Sequence, residues 1–456
     1  MFSLKEIVRA TGGALVTKSR GTRIKGISID SRTVKKGELF IAIKGPYFDG
    51  HDFIKEVVKK SAAAIVISRE DVGRGVHIPV ILVTDTTTAL GDIALFHRSR
   101  FRIPVVAITG SAGKTTTKDL VAAVLQRKYK VHKNVANHNN FIGVPLTLFG
   151  LNQSHEILVI ELGTSFPGEI NRLAEITRPT VAILTNIGEA HLEFLKTPAN
   201  VFKEKIEIVR FMDRHGAVIF NHDDRYLRKI PTLKLKQKLI SFSLETPSDL
   251  RARQIRLEHN TKMYFNINQK DQIVLPSCAF HMVYNALAAL AVARLLGINF
   301  SEIKKACARF TTLTNRHTLS QVGPYWMIDD SYNSNPVSLR SAIRSFHEFT
   351  CRGRKIFVCG DMLELGQSSA DLHGQMGRLM ASSDIDILLT VGWYSQLTAR
   401  AAQRNKRLKV HHCTSLSGVQ NRLSKYLQPE DTIFIKGSRG IHLEKIVEFI
   451  KRKARV

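Results

Sequence analysis

The chain has 456 residues, a length typical of about two to four domains. Hydrophobic residues make up 44% of it, which is enough for buried cores, and its five cysteines include no Cys-x-x-Cys pair. A disulfide framework and a zinc site built from cysteines are therefore not expected. The first residues lack an apolar signal core, and the longest apolar stretch, 282–298, is interrupted by Asn285 and Arg294. We therefore expect a cytoplasmic protein that does not insert into membranes. We also expect it to be a monomer.

Lys and Arg outnumber Asp and Glu by 67 to 39, which gives a formal net charge of +28. A field of this sign attracts polyanions, so nucleic acid has to be considered beside nucleotide-linked substrates. The excess is spread along the chain with only small clusters such as 451–453, and no basic groove interleaved with aromatic residues is evident. This distribution is typical of a solvated surface. We expect no nucleic-acid partner, and a nucleic-acid-dependent ATPase is kept as an alternative from a different class.

Residues 1–100 read as a small α/β unit. The pattern predicts a helix over 4–10 and strands over 39–43 and 64–67, separated by polar turns. The candidate binding residues in these turns are Asp30, Ser31, Arg32, Gly45, Asp49, Gly50 and His51. Loops that combine Arg, Ser, His and Gly suit a phosphorylated ligand, and they are equally compatible with ordinary turn chemistry.

A short apolar strand, a glycine turn and a helix follow over 105–125. The turn contains Gly110, Ser111, Ala112, Gly113, Lys114, Thr115 and Thr116. Backbone N–H groups of such a turn point at an anion, and the helix dipole favours negative charge there. Lys114 can reach the outer phosphates of a nucleotide, and the hydroxyl of Thr115 can ligate Mg²⁺. The turn is shorter than the general phosphate-loop motif, because Ile108 stands where that motif has its first glycine. It predicts an ATP or GTP site.

Strands and helices alternate over 101–313, which is the signature of a mostly parallel sheet with helices on both faces. We predict strands over 156–161 and 181–186 and a closing helix over about 283–296. Ligands of such sheets bind at the carboxyl ends of the strands.

Candidate metal ligands stand at two of these strand ends. Glu161 ends one strand, and His191 follows shortly after the next. Together with Thr115 they can hold Mg²⁺ against a triphosphate, an arrangement that suits phosphoryl transfer. Asn137 and Asn140 belong to an unusually polar cluster that can position phosphates or metal through amide oxygens.

A further unit is predicted over 314–456. Its strands are expected at 326–328, 355–359, 385–391 and 432–435, with helices between them. This alternation indicates a second doubly wound sheet, again with polar residues just after the strands.

Taken in order, the motifs resemble one family, the Mur ligases of bacterial cell-wall synthesis, over essentially the whole chain. The segments that carry the resemblance are 30–32, 45–51, 109–115, 137–140, 161–163, 168–170, 186–191, 329–336, 360–366 and 436–440. The segments 329–336 and 360–366 are similar to the branch of the family that adds D-alanyl-D-alanine. The Asp-Asn-Pro-Arg motif of the branch that adds the third stem-peptide residue does not occur in the C-terminal section.

The resemblance implies an α/β fold of three domains. Residues 1–100 would form a small UDP-substrate-binding domain, and 101–313 a central ATP-binding domain with a mostly parallel sheet of the phosphate-loop type. Residues 314–456 would form a C-terminal Rossmann-like, doubly wound domain.

The resemblance also implies roles for single residues. Lys114 and Thr115 would hold the ATP phosphates and Mg²⁺, and Glu161 and His191 would be metal ligands. Lys205 looks like any basic helix residue on its own, but it matches the family lysine whose carbamate supports a second metal. Lys114, His191 and Lys205 are the expected catalytic residues.

Asn285 would contact adenine, Arg316 the phosphates and Asp330 the ribose. The residues expected to help seat the incoming dipeptide are Tyr332, Asn333 and Asn335. The implied reaction uses ATP and Mg²⁺ to join D-alanyl-D-alanine to the tripeptide carboxylate of UDP-N-acetylmuramoyl-tripeptide through an acyl phosphate. A sister ATP-dependent ligase with another amino-acid or folate substrate stays open.

Overall fold

In the computed structural model, residues 2–17, 22–135, 137–269 and 271–454 are described. Across these residues the strands form four sheets, three of them large and mostly parallel, and the large sheets follow one another along the chain. This arrangement confirms the expected α/β class. Among the described residues, no helix combines the length and the apolar character needed to cross a bilayer.

The first section is organised around a five-stranded sheet of order β2-β7-β6-β5-β4, beside a small antiparallel pair of β1 and β3. Its strands are β1 Phe2–Ser3, β2 Ala14–Leu15, β3 Arg23–Ile24, β4 Gly26–Ser28, β5 Glu38–Ile41, β6 Ala64–Ile67 and β7 Val80–Leu82. Its helices are α1 Leu4–Thr11, α2 Ile54–Lys59 and α3 Thr86–Arg98. A capping box between Ser3 and Glu6 starts α1, since each side chain satisfies a backbone N–H of the other.

The central section holds a nine-stranded sheet, within the described residues, of order β16-β15-β14-β13-β12-β11-β8-β10-β9. Its strands are β8 Val105–Thr109, β9 Val131–Lys133, β10 Ile157–Glu161, β11 Val181–Leu184, β12 Ala217–Asn221, β13 Lys238–Ser243, β14 Leu250–Glu258, β15 Lys262–Ile267 and β16 Asp271–Leu275. Its helices are α4 Lys114–Leu125, α5 Gly143–Phe149, α6 Glu169–Thr177, α7 Leu192–Leu195, α8 Pro198–Ile206, α9 His281–Leu295 and α10 Phe300–Ala308.

Strand β8 lies inside this sheet between β10 and β11, and all five of its residues are buried. Parallel strands covered on both faces need a continuous apolar run, which is what 105–108 supplies. Because β8 is central, the turn that follows it opens at the middle of the sheet's carboxyl edge.

The C-terminal section is built on a sheet of order β17-β18-β22-β19-β20-β21, in which only the β17–β18 pair is antiparallel. Its strands are β17 Thr318–Val322, β18 Tyr325–Asp330, β19 Lys355–Gly360, β20 Ile387–Val391, β21 Lys409–Cys413 and β22 Thr432–Lys436. Its helices are α11 Pro336–Glu348, α12 Ser369–Ala381, α13 Ser395–Ala402, α14 Leu416–Tyr426 and α15 Glu444–Lys453. Short 3-10 turns elsewhere cover Gly50–Phe53, Asp71–Gly73, Glu207–Val209, Leu227–Leu233, Gly366–Ser368 and Arg439–Ile441.

The sheets separate into three groups at the places where the sequence suggests breaks. Helix α3 ends at Arg98 and β8 begins at Val105, while α10 ends at Ala308 and β17 begins at Thr318. The residue-level boundaries at 100/101 and 313/314 stay predictions. The prediction that the helix over about 283–296 closes the central section is wrong, because α9 is followed by α10 before the C-terminal sheet starts.

Candidate active site

A cavity of about 570 Å³ lies where the carboxyl edge of the central sheet faces the start of the C-terminal section. The sequence-predicted site residues that line it are Ser111, Ala112, Gly113, Lys114, Thr115, Thr116, Asn137, Glu161, His191, Asn285, Arg316, Asp330, Tyr332, Asn333 and Asn335. The central and C-terminal sections thus contribute to one cleft, as expected for ligands bound at strand ends of α/β sheets.

Two positions in the turn after β8 require glycine, one because of a close neighbour and one because of its backbone angle. A Cβ at Gly110 would lie 1.9 Å from the hydroxyl of Thr185, so no larger residue fits there. Gly113 has φ +79° and stands directly before α4, a backbone conformation that glycine adopts at no steric cost. The first N–H groups of α4 therefore open toward the cavity as an anion site.

The turn is held in shape from the strand next to it. The side chain of Asn186 accepts a hydrogen bond from the backbone N–H of Ala112 at 2.8 Å and donates to the carbonyl of Ala112 at 3.1 Å. The backbone N–H of Ser111 donates to the carbonyl of Asn186 at 2.9 Å. The loop is thus fixed before any ligand arrives, which reduces the ordering cost of binding.

The side chain of Lys114 points back to the start of this turn. Its Nζ donates to the carbonyl of Gly110 at 2.9 Å. Burial lowers the pKa of Lys114 from its usual value, the nearby Glu161 carboxylate opposes that shift, and Arg316 adds to it. Two cations held this close favour an anionic ligand between them.

Glu161 ends β10 and is only 2% exposed. One carboxylate oxygen accepts from the hydroxyl of Thr115 at 2.7 Å, and the other accepts from the amide of Asn139 at 2.7 Å. Asn139 also lines the cavity, so it is the member of the polar cluster that reaches Glu161. Asn140 instead accepts from the backbone N–H of Gly143 at 2.9 Å, where α5 begins.

His191 also lines the cavity and has φ +55°, an uncommon conformation for a non-glycine residue. Its Nδ1 lies 2.6 Å from a carboxylate oxygen of Glu364 in the C-terminal section. Within the described part of the chain, no three His, Cys, Asp or Glu side chains gather closely enough to hold a metal alone. Mg²⁺ takes one or two protein oxygens and completes its shell with water and substrate phosphates, so Thr115 and Glu161 fit it.

Lys205 is buried at 1% exposure, whereas an ordinary basic helix residue would reach solvent. Its Nζ has no hydrogen-bond partner among the described residues. Burial is the main cause that holds the pKa of Lys205 well below its usual value, and the charge of Lys114 adds to the effect. The lowered pKa favours the neutral, nucleophilic form of the amine, although Lys205 does not line the cavity.

At the far end of the turn, Asn285 is buried on α9 and accepts from the hydroxyl of Thr117 at 3.1 Å. A Cβ at Gly113 would lie 3.0 Å from the same amide oxygen. Arg316 stacks on the ring of Tyr332 with its guanidinium carbon 3.9 Å from the ring centre.

The segment after β18 closes the cavity. Asp330 pairs with Lys436 at 2.7 Å, and Lys436 also donates to the carbonyl of Asn333 at 3.0 Å. The amide of Asn335 donates to the carbonyl of Ser111 at 3.0 Å, which ties this segment to the glycine turn.

Seven predicted binding residues of the first section lie away from this cavity. Asp30 binds the Arg32 guanidinium through both oxygens at 2.9 and 2.8 Å, and this pairing lowers the pKa of Asp30 to about 2. His51 is 2% exposed, with Nδ1 at 2.6 Å from Asp49 and Nε2 accepting from the backbone N–H of Ser68.

The other members of this set, Ser31, Gly45 and Gly50, contact backbone atoms of nearby residues. Lys60 donates to the carbonyl of Ser31 at 2.7 Å, the N–H of Gly45 donates to the carbonyl of Phe48 at 2.8 Å, and a Cβ at Gly50 would lie 2.9 Å from the backbone of Ala42. The substrate-binding role of this set stays a prediction.

Sequence reasoning missed one wall of the cavity. Asn221, Asp223, Phe242, His281 and Tyr284 line it without having been singled out as ligands. Asp223 accepts from the Tyr284 hydroxyl at 2.9 Å and from three successive backbone N–H groups. The signal available was the position of Asn221 and Asp223 at the end of an apolar run, 217–220, that reads as a strand.

Three family models match the chain in succession. The Mur ligase family catalytic domain matches 23–98, the Mur ligase middle domain 108–293, and the Mur ligase glutamate ligase domain 315–439. The UDP-N-acetylmuramoyl-tripeptide–D-alanyl-D-alanine ligase of Buchnera aphidicola subsp. Baizongia pistaciae is 33% identical over 98% of this chain and 97% of its own length. The enzyme of the same name from Bacillus subtilis is 31% identical over 98% and 97%.

Solved structures agree with these sequence matches. A crystal structure of MurF from Acinetobacter baumannii is 30% identical, covers 99% of both chains and has a TM-score of 0.89. MurF ligase from Thermotoga maritima, solved in complex with ADP, is 28% identical, covers 95% of this chain and 98% of its own, and has a TM-score of 0.84. With a relative above 30% identity along nearly its whole length, the chain belongs to the Mur ligase family.

Proposed function

We propose that this protein uses ATP to join D-alanyl-D-alanine to the tripeptide carboxylate of UDP-N-acetylmuramoyl-tripeptide in peptidoglycan precursor synthesis. The observation that carries the proposal is the single cleft that places the glycine turn opposite the 330–335 segment of the C-terminal section. A ligase of this kind has to bring a triphosphate and two peptides together, and the cleft offers an anion site on one wall and amide-rich loops on the other. The family-level match at full length supports the same activity.

The nucleotide would lie along the turn from Lys114 to Asn285. Backbone N–H groups at the start of α4, Lys114 and Arg316 would face the phosphates, and Asn285 would contact the base, since these residues all line the cavity. Asp330, at the end of β18, would bind the ribose. These assignments rest on their shared lining of the cavity and on the charges they bring to it.

Mg²⁺ would be held by Thr115, Glu161 and His191. The hydroxyl and carboxylate are already paired at 2.7 Å and face the same space, which is the donor chemistry this ion prefers. When bound, the ion supplies charge neutralisation at the phosphates.

Lys205 fits a carbamate because its buried amine is unpaired, and because burial lowers its pKa and so favours the neutral form that reacts as a nucleophile. Carbamylation would convert an unsatisfied buried donor into an anionic group next to Lys114. The change also removes the cost of leaving a polar nitrogen unpaired in the interior.

The chemistry has two steps. The tripeptide carboxylate attacks the γ-phosphorus of ATP, ADP leaves, and an acyl phosphate forms. The free amine of D-alanyl-D-alanine then attacks the acyl carbon, loses a proton, and the tetrahedral intermediate expels phosphate to leave an amide. Lys114 and Arg316 would stabilise the charge that builds on the transferred group, since Lys114 is held by the Gly110 carbonyl and Arg316 by the Tyr332 ring.

The first section would bind the UDP end of the substrate through the 30–32 and 45–51 turns. Residues 1–100, 101–313 and 314–456 would then be substrate, ATP and ligase domains of a cytoplasmic monomer. Closing of the third on the second gates the reaction, since the reacting groups sit between them.

The test is phosphate release with ATP, UDP-N-acetylmuramoyl-tripeptide and D-alanyl-D-alanine, each omitted in turn. Product formation that needs all three supports the proposal, and Lys114→Ala should lower it by more than about 100-fold. Full turnover with a different amino acid or a folate in place of the dipeptide would assign the chain to a sister ligase instead. ATP hydrolysis stimulated by DNA or RNA, without ligation, would contradict the proposal.

A further inference from the structure

The loop after β19, residues 361–366, reaches His191 of the central section. It carries Glu364, whose carboxylate lies 2.6 Å from Nδ1 of His191. The two residues belong to different sections of the chain, so the contact exists only while those sections are docked. The residue roles proposed above leave Glu364 without one.

Several backbone features place Glu364 there. Glu364 has φ +63°, and its carbonyl accepts from the backbone N–H of Glu193 at 3.0 Å. Gly366 lies directly on α7, where a Cβ would come within 2.9 Å of the Cα of Glu193. The loop is therefore held against α7, the helix that His191 precedes, and this docking aims the carboxylate.

The carboxylate beside Nδ1 favours a proton on that nitrogen of His191. A carboxylate accepts a hydrogen bond, so Nδ1 carries the proton in the neutral ring, and Nε2 keeps its lone pair. The hydroxyl of Ser165 is the other group near Nδ1, but at 3.4 Å it is the weaker partner. Nε2 has no hydrogen-bond partner among the residues that the structure describes, and the ring lines the nucleotide cavity.

We propose that Glu364 is a positioning residue for the ligation: by bonding Nδ1 of His191 when the C-terminal section docks, it presents Nε2 to the nucleotide cavity as an electron-pair donor. The inference rests on the proposed function, since it concerns a residue assigned there to Mg²⁺. It adds that the correct tautomer is set by the closing domain and not by the central domain alone. Carboxylates that fix a ligand histidine in this way commonly change metal affinity or activity by about 10- to 100-fold.

A residue whose role was only to hold the two sections together would be expected to be more buried than Glu364. The Glu364 side chain is 51% exposed, and ion pairs that accessible contribute little to stability. Other contacts nearby also join the central and C-terminal sections, including Val337 against Gly188 and the ion pair of Arg340 with Glu189. The carboxylate is thus better suited to orienting the ring than to holding the domains together.

Three variants of the full-length protein separate these roles. Glu364→Ala removes the acceptor, whereas Glu364→Gln keeps an acceptor oxygen and removes the charge. Glu193→Gln is the matched control, because Glu193 is an exposed carboxylate beside the same contact with no side-chain bond to His191. The first readout is the tautomer of His191 in ligand-free protein, measured by nitrogen NMR on isotope-labelled histidine and assigned with His191→Gln. The second is kcat/KM for ATP, and small-angle scattering reports whether the sections stay docked.

We expect Glu364→Ala to lose the dominant Nδ1-protonated form and about 10- to 100-fold in kcat/KM, with docking and melting temperature unchanged. Glu364→Gln should restore the tautomer and most of the activity, and Glu193→Gln should match the wild type. An unchanged tautomer in Glu364→Ala, or a loss of docking with the tautomer preserved, would overturn the inference. The tautomer is read without substrates, so its result stands apart from failure of wild-type ligation, which would instead overturn the proposed function.

Discussion

The amide of Asn335 bonds two parts of the molecule at once. Its nitrogen donates to the carbonyl of Ser111 in the glycine turn at 3.0 Å, and its oxygen accepts from the backbone N–H of Ser338 at 2.9 Å. The second bond is the N-cap of α11, completed by the hydroxyl of Ser338 in return. One side chain therefore links the start of a C-terminal helix to the loop proposed to hold the phosphates.

Replacing Asn335 by Asp separates these two bonds. Asp is as good an N-cap as Asn, so the melting temperature should change little. The carboxylate cannot donate to the Ser111 carbonyl, and we expect kcat/KM for ATP to fall about 10-fold, the equivalent of one lost hydrogen bond. Ser338→Ala is the control, because it weakens the cap and leaves the bond to Ser111. Equal effects of the two variants on catalysis would refute a direct role for that bond.

Lys205→Ala should inactivate the enzyme and regain activity when short carboxylates such as formate or acetate are added. The small anion would occupy the place of the carbamate, in a space that the truncated side chain leaves beside Lys114. The measurement is the ligation rate against carboxylate concentration, with chloride at equal ionic strength as the control. Activity that stays at background over the whole range would argue against the carbamate.

Gly188 is the point where α11 presses on the central section. A Cβ there would lie 2.0 Å from a methyl group of Val337, so Gly188→Ala should push the two sections apart. We expect about a 10-fold lower kcat/KM and a more open shape in small-angle scattering. Adding Val337→Ala to the same protein makes room for the new methyl and should restore both quantities. If the double variant is as poor as the product of the single effects, the contact does not govern docking.

His317 gives the fold a sensitivity to acid. It is 4% exposed, both ring nitrogens lack partners among the described residues, and burial lowers its pKa to about 3. The unfolded chain binds this proton at the usual pKa near 6.5, so stability rises with pH between about 3 and 6.5.

At pH 5 this residue alone should cost about 2 kcal/mol relative to pH 7. His317→Phe should remove that part of the loss, since a phenyl ring suits contacts with Phe434 and His281. Denaturant unfolding at both pH values measures the difference, with His77→Phe as an exposed control. An identical pH dependence in wild type and variant would show that His317 is charged or accessible in the folded state.

The sequence was most informative where chemistry and periodicity coincide. The apolar run before Gly110 and the polar residues after β10, β11 and β18 predicted both the parallel sheets and the cleft at their edge. Helix α4 starts at Lys114, inside the segment that the sequence assigned to the glycine turn, because the first turn of the helix is polar and lines the cavity. These early residues are polar, so the period of apolar residues does not reveal that they are helical.

What sequence reasoning missed depended on distant contacts. The antiparallel extension, β14 to β16, has polar and apolar residues on a partly exposed surface and gives a weak pattern. Lys205 looked ordinary because its burial comes from the packing of α8, and nothing in the local sequence signals that. The Glu364–His191 contact joins residues 173 positions apart, a relation that only the docked domains create.

The acyl phosphate is the central claim, and heavy-oxygen labelling tests it most directly. The tripeptide substrate is prepared with its terminal carboxylate oxygens labelled and is turned over with ATP and D-alanyl-D-alanine. If the carboxylate attacks the γ-phosphorus, the released phosphate carries one labelled oxygen, which mass spectrometry detects. Phosphate that leaves without label, while the amide still forms, would contradict activation of the carboxylate by phosphoryl transfer.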